Sequence, residues 1–412
     1  MIRIKEVTTR KDRKIFLDFP NNLYKGNPCY VPPLYSDEKK IFSKANVYYD
    51  TCESVYFLAF DGKKPVGRIS GTIQHASNKK TGERRVRFNR FDCIDDKEVA
   101  AALFGAVEEW ALGRGYDTVC GPLGFSDLER EGLLIDGFDQ TNTFEEQYNY
   151  PYYAGLIEHC GYKKDVDWLE YRLFKPKEVN KKIERVAEIA FKRYGLHMAE
   201  SKNARDFIDK YKDGIFHVLD EGYKELYGTV PFTDRMKKQL IDQFNLIIKK
   251  DYVGAILDKD DNVVGFGLCF PAIGDAFAGG DGKLTPKTIS KLFKILKTPK
   301  HLDLALVAVL PKYRNLGVNS IVLDGLIKLM LEKDIEYCET NLCLEYNYSI
   351  QAQWKFFDHI QHKRRRSYVK KLNGDLSADA VKENIAESAK ESANESANEK
   401  ATEEVAENVR NA

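Results

Sequence analysis

One order of elements can be read twice along this chain, and that doubling constrains its fold more than any other feature. The first pass starts with a strand at Ile2 to Val7 and a helix at Asp12 to Tyr24, with a break expected at Pro20. A hairpin follows at Ser54 to Asp61 and Pro65 to Gln74, turning at Asp61-Gly62-Lys63-Lys64. Val86 to Ile94 reads as a strand. Asp96 to Arg114 reads as a helix with Val99, Leu103, Val107, Trp110 and Ala111 on one face, and Thr118 opens the next strand. A charged helical connector at Lys175 to Tyr194 separates this pass from the second. There the strand is Gly195 to Ala199, and the helical region Ala204 to Lys250 breaks near Gly228 and Pro231. The hairpin is Tyr252 to Leu257 with Val263 to Phe270; His301 to Leu310, Ser320 to Glu332 and Ile335 to Leu344 are strand, helix and strand. Tyr148-Asn149-Tyr150 and Tyr346-Asn347-Tyr348 stand 198 residues apart at matching places in the two passes.

The expected class is therefore α/β (α+β). Two repeats, residues 1–174 and 195–372, each form a mixed, mostly antiparallel sheet flanked by helices; residues 175–194 connect them and 373–412 form an acidic tail. A hydrophobic content of 43% supplies apolar material for two cores. The last forty residues hold ten Asp/Glu against four Lys/Arg, which leaves the rest of the chain at +7. That balance suits anionic ligands and is too weak to imply DNA. In the tail, glutamates recur every four residues from Glu383 to Glu407 with no apolar stripe to bury, so it reads as disordered and solubilising. The eight cysteines form no CxxC pair and read as reduced buried thiols of a cytoplasmic protein, with no metal site. No signal core and no membrane-spanning run is visible.

Within the second pass, the run Leu306 to Leu310 stops at Pro311. A basic turn, Lys312-Tyr313-Arg314-Asn315-Leu316-Gly317, then feeds a helix whose apolar residues include Ile321, Leu323, Leu326, Ile327, Met330 and Leu331. A helix that starts this way leaves its first amides without partners. Those amides, the positive helix end and Arg314 suit a phosphate, and Gly317 is expected to let it approach the backbone. Gly279-Gly280-Asp281-Gly282-Lys283 is not a nucleotide loop, because Leu284 stands where Ser or Thr is required.

Arg314-Asn315-Leu316-Gly317-Val318-Asn319 resembles the (Gln/Arg)-x-x-Gly-x-(Gly/Ala) motif of the GNAT acyltransferase superfamily, and it lies between the strand and helix where that family has it. Two such passes resemble the tandem-GNAT proteins, among them N-myristoyltransferases and Fem-type aminoacyl transferases. The stretch Gly121-Pro122-Leu123-Gly124-Phe125-Ser126 to Tyr153 looks most like uncharacterised bacterial N-acyltransferase-like proteins. The resemblance implies acyl-CoA (acetyl-CoA or longer) as co-substrate, held by the amides of Leu316, Gly317, Val318, Asn319 and Ser320, by Arg314, and by the main chain of Val307 and Val309. It also implies direct acyl transfer to a small-molecule or peptide amine. Charged tRNA as donor, and a non-catalytic binder, are the rivals. The sequence departs from the family at Asn319, at Asp358-His359, and at Trp354, which stands where many members carry a thiolate-protonating tyrosine. The first repeat has no such loop between Ile94 and Val99 and is expected not to bind coenzyme A.

Alternation places Tyr337, Glu339, Asn341, Cys343 and Glu345 on one face of a strand. Glu339 and Glu345 are base candidates for an attacking amine, or else pair with Lys and Arg. Tyr348 (or Tyr346) is the candidate acid. Asn347 caps the helix it begins or touches the cofactor. The long excursion Gly121 to Asn149 offers an acceptor pocket through Phe125, Asp136, Tyr148 and Asn149, or a structural clasp between the repeats. His362-Lys363-Arg364-Arg365-Arg366 reads as a solvated edge strand, with RNA or anionic lipid as its alternative partners.

Overall fold

In the computed structural model, residues 2–244 and 249–372 are described; the acidic stretch 373–412 lies outside them. The strands of the first half are β1 (Ile2–Glu6), β2 (Cys52–Asp61), β3 (Lys64–Gln74), β4 (Arg85–Cys93), β5 (Thr118–Gly121), β6 (Leu133–Asp136) and β7 (Lys163–Phe174). Those of the second half are β8 (His197–Met198), β9 (Val253–Leu257), β10 (Val263–Pro271), β11 (His301–Val309), β12 (Tyr337–Thr340), β13 (Cys343–Leu344) and β14 (His359–Lys371). All fourteen belong to one sheet, ordered β1-β2-β3-β4-β5-β14-β7-β12-β11-β10-β9-β8, with β6 paired to β14 and β13 to β7. The two passes have matching cores. Each holds an antiparallel hairpin and then a parallel pair, β4 with β5 and β11 with β12, joined by a crossover helix.

The repeats trade their last strands. β14, the end of the second, lies between β5 and β7 of the first, while β7 lies between β14 and β12. The boundary read at residue 174 is therefore crossed by the hydrogen-bond network from both sides. It also places the basic run His362 to Arg366 at the centre of the sheet, so neither the edge-strand reading nor the nucleic-acid or lipid reading holds. Lys363 and Arg365 are fully buried. Alternation turns these two inward, where they meet Glu146, Glu170 and Glu339.

The helix Arg10–Leu23 runs through Pro20 without the expected break. Proline lacks the N–H that would bond the Phe16 carbonyl. Arg68 Nη1 donates to that carbonyl instead, at 2.8 Å, so the helix loses no acceptor satisfaction. The strand expected from Ile335 to Leu344 is interrupted at Asn341-Leu342, dividing into β12 and β13. All eight cysteines are free thiols, six of them buried. Among the described residues no helix is long and apolar enough to cross a membrane.

Candidate functional site

The parallel strands β11 and β12 pair through His301–Leu304 with Tyr337–Thr340 and then part. The gap is spanned by side chains. Asn341 Nδ2 donates to the Ala305 carbonyl at 3.1 Å, and the Tyr223 hydroxyl donates to the Val307 carbonyl at 3.0 Å. Below the gap the chain turns through Pro311–Tyr313, and the helix Val318–Glu332 begins. Gly317, with φ of 78°, starts this helix in the left-handed region, and no side chain caps it. A Cβ on Gly317 would lie 3.2 Å from Val186 Cγ1, so the glycine serves backbone geometry and packing against the helix Lys181–Tyr194 rather than room for a phosphate.

The amides of Leu316 and Ser320 already bond the carbonyls of Tyr313 and Gly317. Those of Val318 and Asn319 sit in the first helical turn, where no intrahelical acceptor exists. Arg314 lies beside them, but its guanidinium also bonds the carbonyls of Gly222 at 3.0 Å and Val309 at 3.4 Å. The first repeat differs at the equivalent place. Its crossover helix Lys97–Gly113 is capped by Asp96, whose carboxylate accepts from the amides of Glu98 and Val99 at 2.8 and 3.4 Å. A carboxylate there fills the position an anion needs. Phosphate chemistry thus fits the second helix start and not the first.

A cavity of about 1670 Å³ connects this region to the first repeat. Val307, Val309, Arg314, Asn319, Asn347, Tyr223 and Trp354 line it on the second repeat's side. Tyr24, Tyr48, Arg90, Glu129, Glu131 and Tyr148 line it on the other. The excursion expected to form either a pocket or a clasp contributes to both, because its strand β6 pairs with β14 while Glu129 and Glu131 face the cavity.

Glu131 is the group that sequence reasoning missed. It is 6% exposed, and its Oε2 has no hydrogen-bond partner among the described residues. Burial pushes its carboxyl well above the usual range, Asp127 adds to the rise, and Arg87 opposes it. A Cβ on Gly228 would lie 3.7 Å from that oxygen, only five residues beyond Tyr223 at the strand gap. Nearby, Glu129 is also raised by burial, against Arg90, and accepts from the Phe125 amide at 2.7 Å.

The other expected residues are placed as follows. Glu339 lies off the cavity, 2.7 Å from the Lys363 ammonium and 3.1 Å from the His362 ring. Burial would raise it, but Lys363 and His362 hold it at about 2, which makes it a weak base. Glu345 accepts from Lys164 Nζ at 2.6 Å and the Asp167 amide at 3.1 Å, the pairing alternative named for it. Tyr348 is exposed and away from the cavity. Asn347 caps the short helix Tyr348–Gln351 through the Ile350 amide. Phe125 is buried and stacked on Tyr48, Asn149 bonds both backbone groups of Leu134, and Asp136 is exposed beside Gly137; of the four acceptor candidates only Tyr148 lines the cavity.

Carboxylate oxygens of Glu146, Glu170 and Glu339 lie within 4.8 Å of one another, a spacing that suits a cation. The Lys363 ammonium is 2.6, 2.8 and 2.7 Å from them, so the chain itself supplies that cation.

Residues 213–352 match the acetyltransferase (GNAT) family. A tandem GNAT protein from the clavulanic acid biosynthesis pathway, solved without AcCoA, superposes with a TM-score of 0.52 at 11% identity, covering 91% of this chain and 100% of that one. The chain has a tandem GNAT-like fold. This tandem GNAT-like chain is 26% identical over 376 residues to Protein YghO of Escherichia coli (strain K12), across 90% of its own length and 95% of that protein. It is 28% identical over 316 residues to a bacterial ceramide synthase of Caulobacter vibrioides (strain NA1000 / CB15N), across 75% of its length and 80% of that protein. The parted strands β11 and β12 and the uncapped helix after them fall inside the matched family region.

Proposed function

We propose that this protein forms an amide by moving an acyl group from acyl-CoA to the amine of a long-chain amino alcohol. The observation that carries the reading is the single cavity joining an anion-ready helix start in the second repeat to an unpartnered buried carboxyl, Glu131, in the first. The match to the GNAT family supports acyl transfer, and the likeness to a ceramide synthase supports an amine with a long apolar tail, since a ceramide is an N-acylated amino alcohol of that kind. The acyl-CoA brings a thioester carbonyl open to attack. Arg314 and the amide of Asn319 hold its phosphates, and the free edge of β11 at Val307 and Val309 aligns its arm once Tyr223 and Asn341 yield the gap.

Chemistry then needs a proton acceptor, because an ammonium cannot attack. Glu131, pushed upward by burial, is matched to that task better than Glu339, which its ion pairs hold at about 2. Glu131 takes a proton from the ammonium directly or through water, the freed amine nitrogen bonds to the carbonyl carbon, the C–S bond breaks, the thiolate leaves, and the nitrogen's second proton passes to solvent. Tyr223, which lines the cavity, could return a proton to that thiolate once its hydroxyl leaves the Val307 carbonyl, in the role Trp354 lacks. Transfer from charged tRNA is less well supported, since Lys363 and Arg365 of the basic run are buried in the sheet.

The test is free-thiol release from acyl-CoAs of increasing chain length with a sphingoid-type amine, followed by mass spectrometry of the amide. Release that depends on both substrates supports the reading. Binding of acyl-CoA with no release for any amine would favour a non-catalytic binder.

A further inference from the structure

The helix Pro286–Lys297 carries more apolar surface than the protein covers. Thr288, Leu292, Ile295 and Leu296 face inward, packing beside Val31, Ile273 and Phe277, and Leu292 and Leu296 line the cavity. At 100° per residue, Ile289, Phe293 and Lys297 form the next ridge outward. Phe293 is 69% exposed and Ile289 38%; Leu284, just before the helix, is 54% exposed and also lines the cavity. The far side carries Lys287, Lys291 and Lys294.

Charge and exposed apolar surface are thus concentrated on a helix that forms part of the cavity wall. From Lys283 to Lys300 there are six lysines and no Asp or Glu. Lys283 and Lys300 pair with Asp281 and Asp334, whereas Lys287, Lys291, Lys294 and Lys297 form no ion pair among the described residues. A helix with a bulky apolar ridge between cavity-lining leucines and unpaired lysines has the composition of one that lies in a bilayer interface. Four unneutralised ammonium groups select an anionic headgroup layer over a neutral one.

We propose that this helix docks the protein on an anionic phospholipid bilayer. Phe293, Ile289 and Leu284 enter the acyl-chain boundary and the four lysines meet the headgroup phosphates, so that the cavity opens directly onto the membrane. A lipid amine then passes into the cavity along Leu284, Leu292 and Leu296 without crossing water. This delivery role rests on the proposed acceptor class; the docking itself rests only on the helix.

The test is flotation of the full chain with vesicles of phosphatidylcholine alone or with about one third phosphatidylglycerol, whose negative surface attracts lysine clusters. Wild type is expected to float only with anionic vesicles. Phe293→Ser and a variant with all four lysines changed to Gln are each expected to bind at least about tenfold more weakly, the loss of roughly 1.4 kcal/mol. Both should keep wild-type thiol release with a short, water-soluble amine, since neither change touches the cavity. No flotation of wild type, or flotation unchanged in both variants, overturns the docking. Normal docking with no amide formed from any amine leaves docking intact and removes the functional reading instead.

Discussion

At the scale of single residues, the proposed chemistry turns on the difference between Glu131 and Glu339. Both are buried glutamates. Glu339 is surrounded by cations and stays ionised, while Glu131 has an orphaned oxygen and a raised carboxyl. Glu131→Gln is expected to lower kcat/KM by about 10²- to 10⁴-fold. The pH–rate profile of wild type should rise through the elevated carboxyl titration, and the variant should lose that limb. Thermal stability should not fall, because the substitution removes an unpartnered buried acid. A variant as active as wild type would sink the assignment. Lys363→Met is the opposite case. It removes the cation that three buried carboxylates share, leaving them Arg365 and His362, and is expected to cost about 3–5 kcal/mol in a denaturant titration. The pH dependence follows in sign. The Glu339 pKa is lowered to about 2 in the fold, so its stabilisation is present above the unfolded value of about 4.3 and is lost as pH falls towards 2. Without Lys363 the acid transition should begin at higher pH. Such sites were only half legible in the sequence: alternation put Glu339 on one strand face with Glu345, but nothing local reports which cation a strand brings from 24 residues further on.

The elements were more legible than their uses. The strand, the Pro311 stop and the helix at Val318 follow from periodicity and from what glycine and proline permit, and the structure has all three. The reason for Gly317 changed, from space for a ligand to positive φ against Val186. Gly317→Ala is accordingly expected to cost about 1–2 kcal/mol, the price of left-handed backbone for a residue with a Cβ, measurable by urea unfolding. Arg314→Gln, by contrast, should leave stability nearly unchanged and raise KM for acyl-CoA roughly tenfold or more, with kcat little altered, since it removes a charge-assisted contact made equally before and during reaction. The helix Pro286–Lys297 has a sequence signal that the doubled element order passes over, because it falls in the insertion between β10 and β11.

For the whole molecule, the exchange of β7 and β14 is the controlling feature. Each repeat completes its neighbour's sheet, so neither has a closed edge of its own. Residues 1–174 and 175–372 produced separately are expected to be insoluble, and produced together to copurify. Intact chain should unfold in one calorimetric transition, and two resolved transitions would contradict the exchange. The sequence by itself determined the doubled α/β layout and the strand–turn–helix order around Pro311 and Gly317, because these depend on spacing over a few residues and on local backbone chemistry. Only the tertiary structure decided where the last strands go, that the most basic run is core, and which acid faces the cavity. Those outcomes depend on contacts between residues far apart in the chain, such as Lys363 with Glu146, and the local sequence around a charge does not carry its partner.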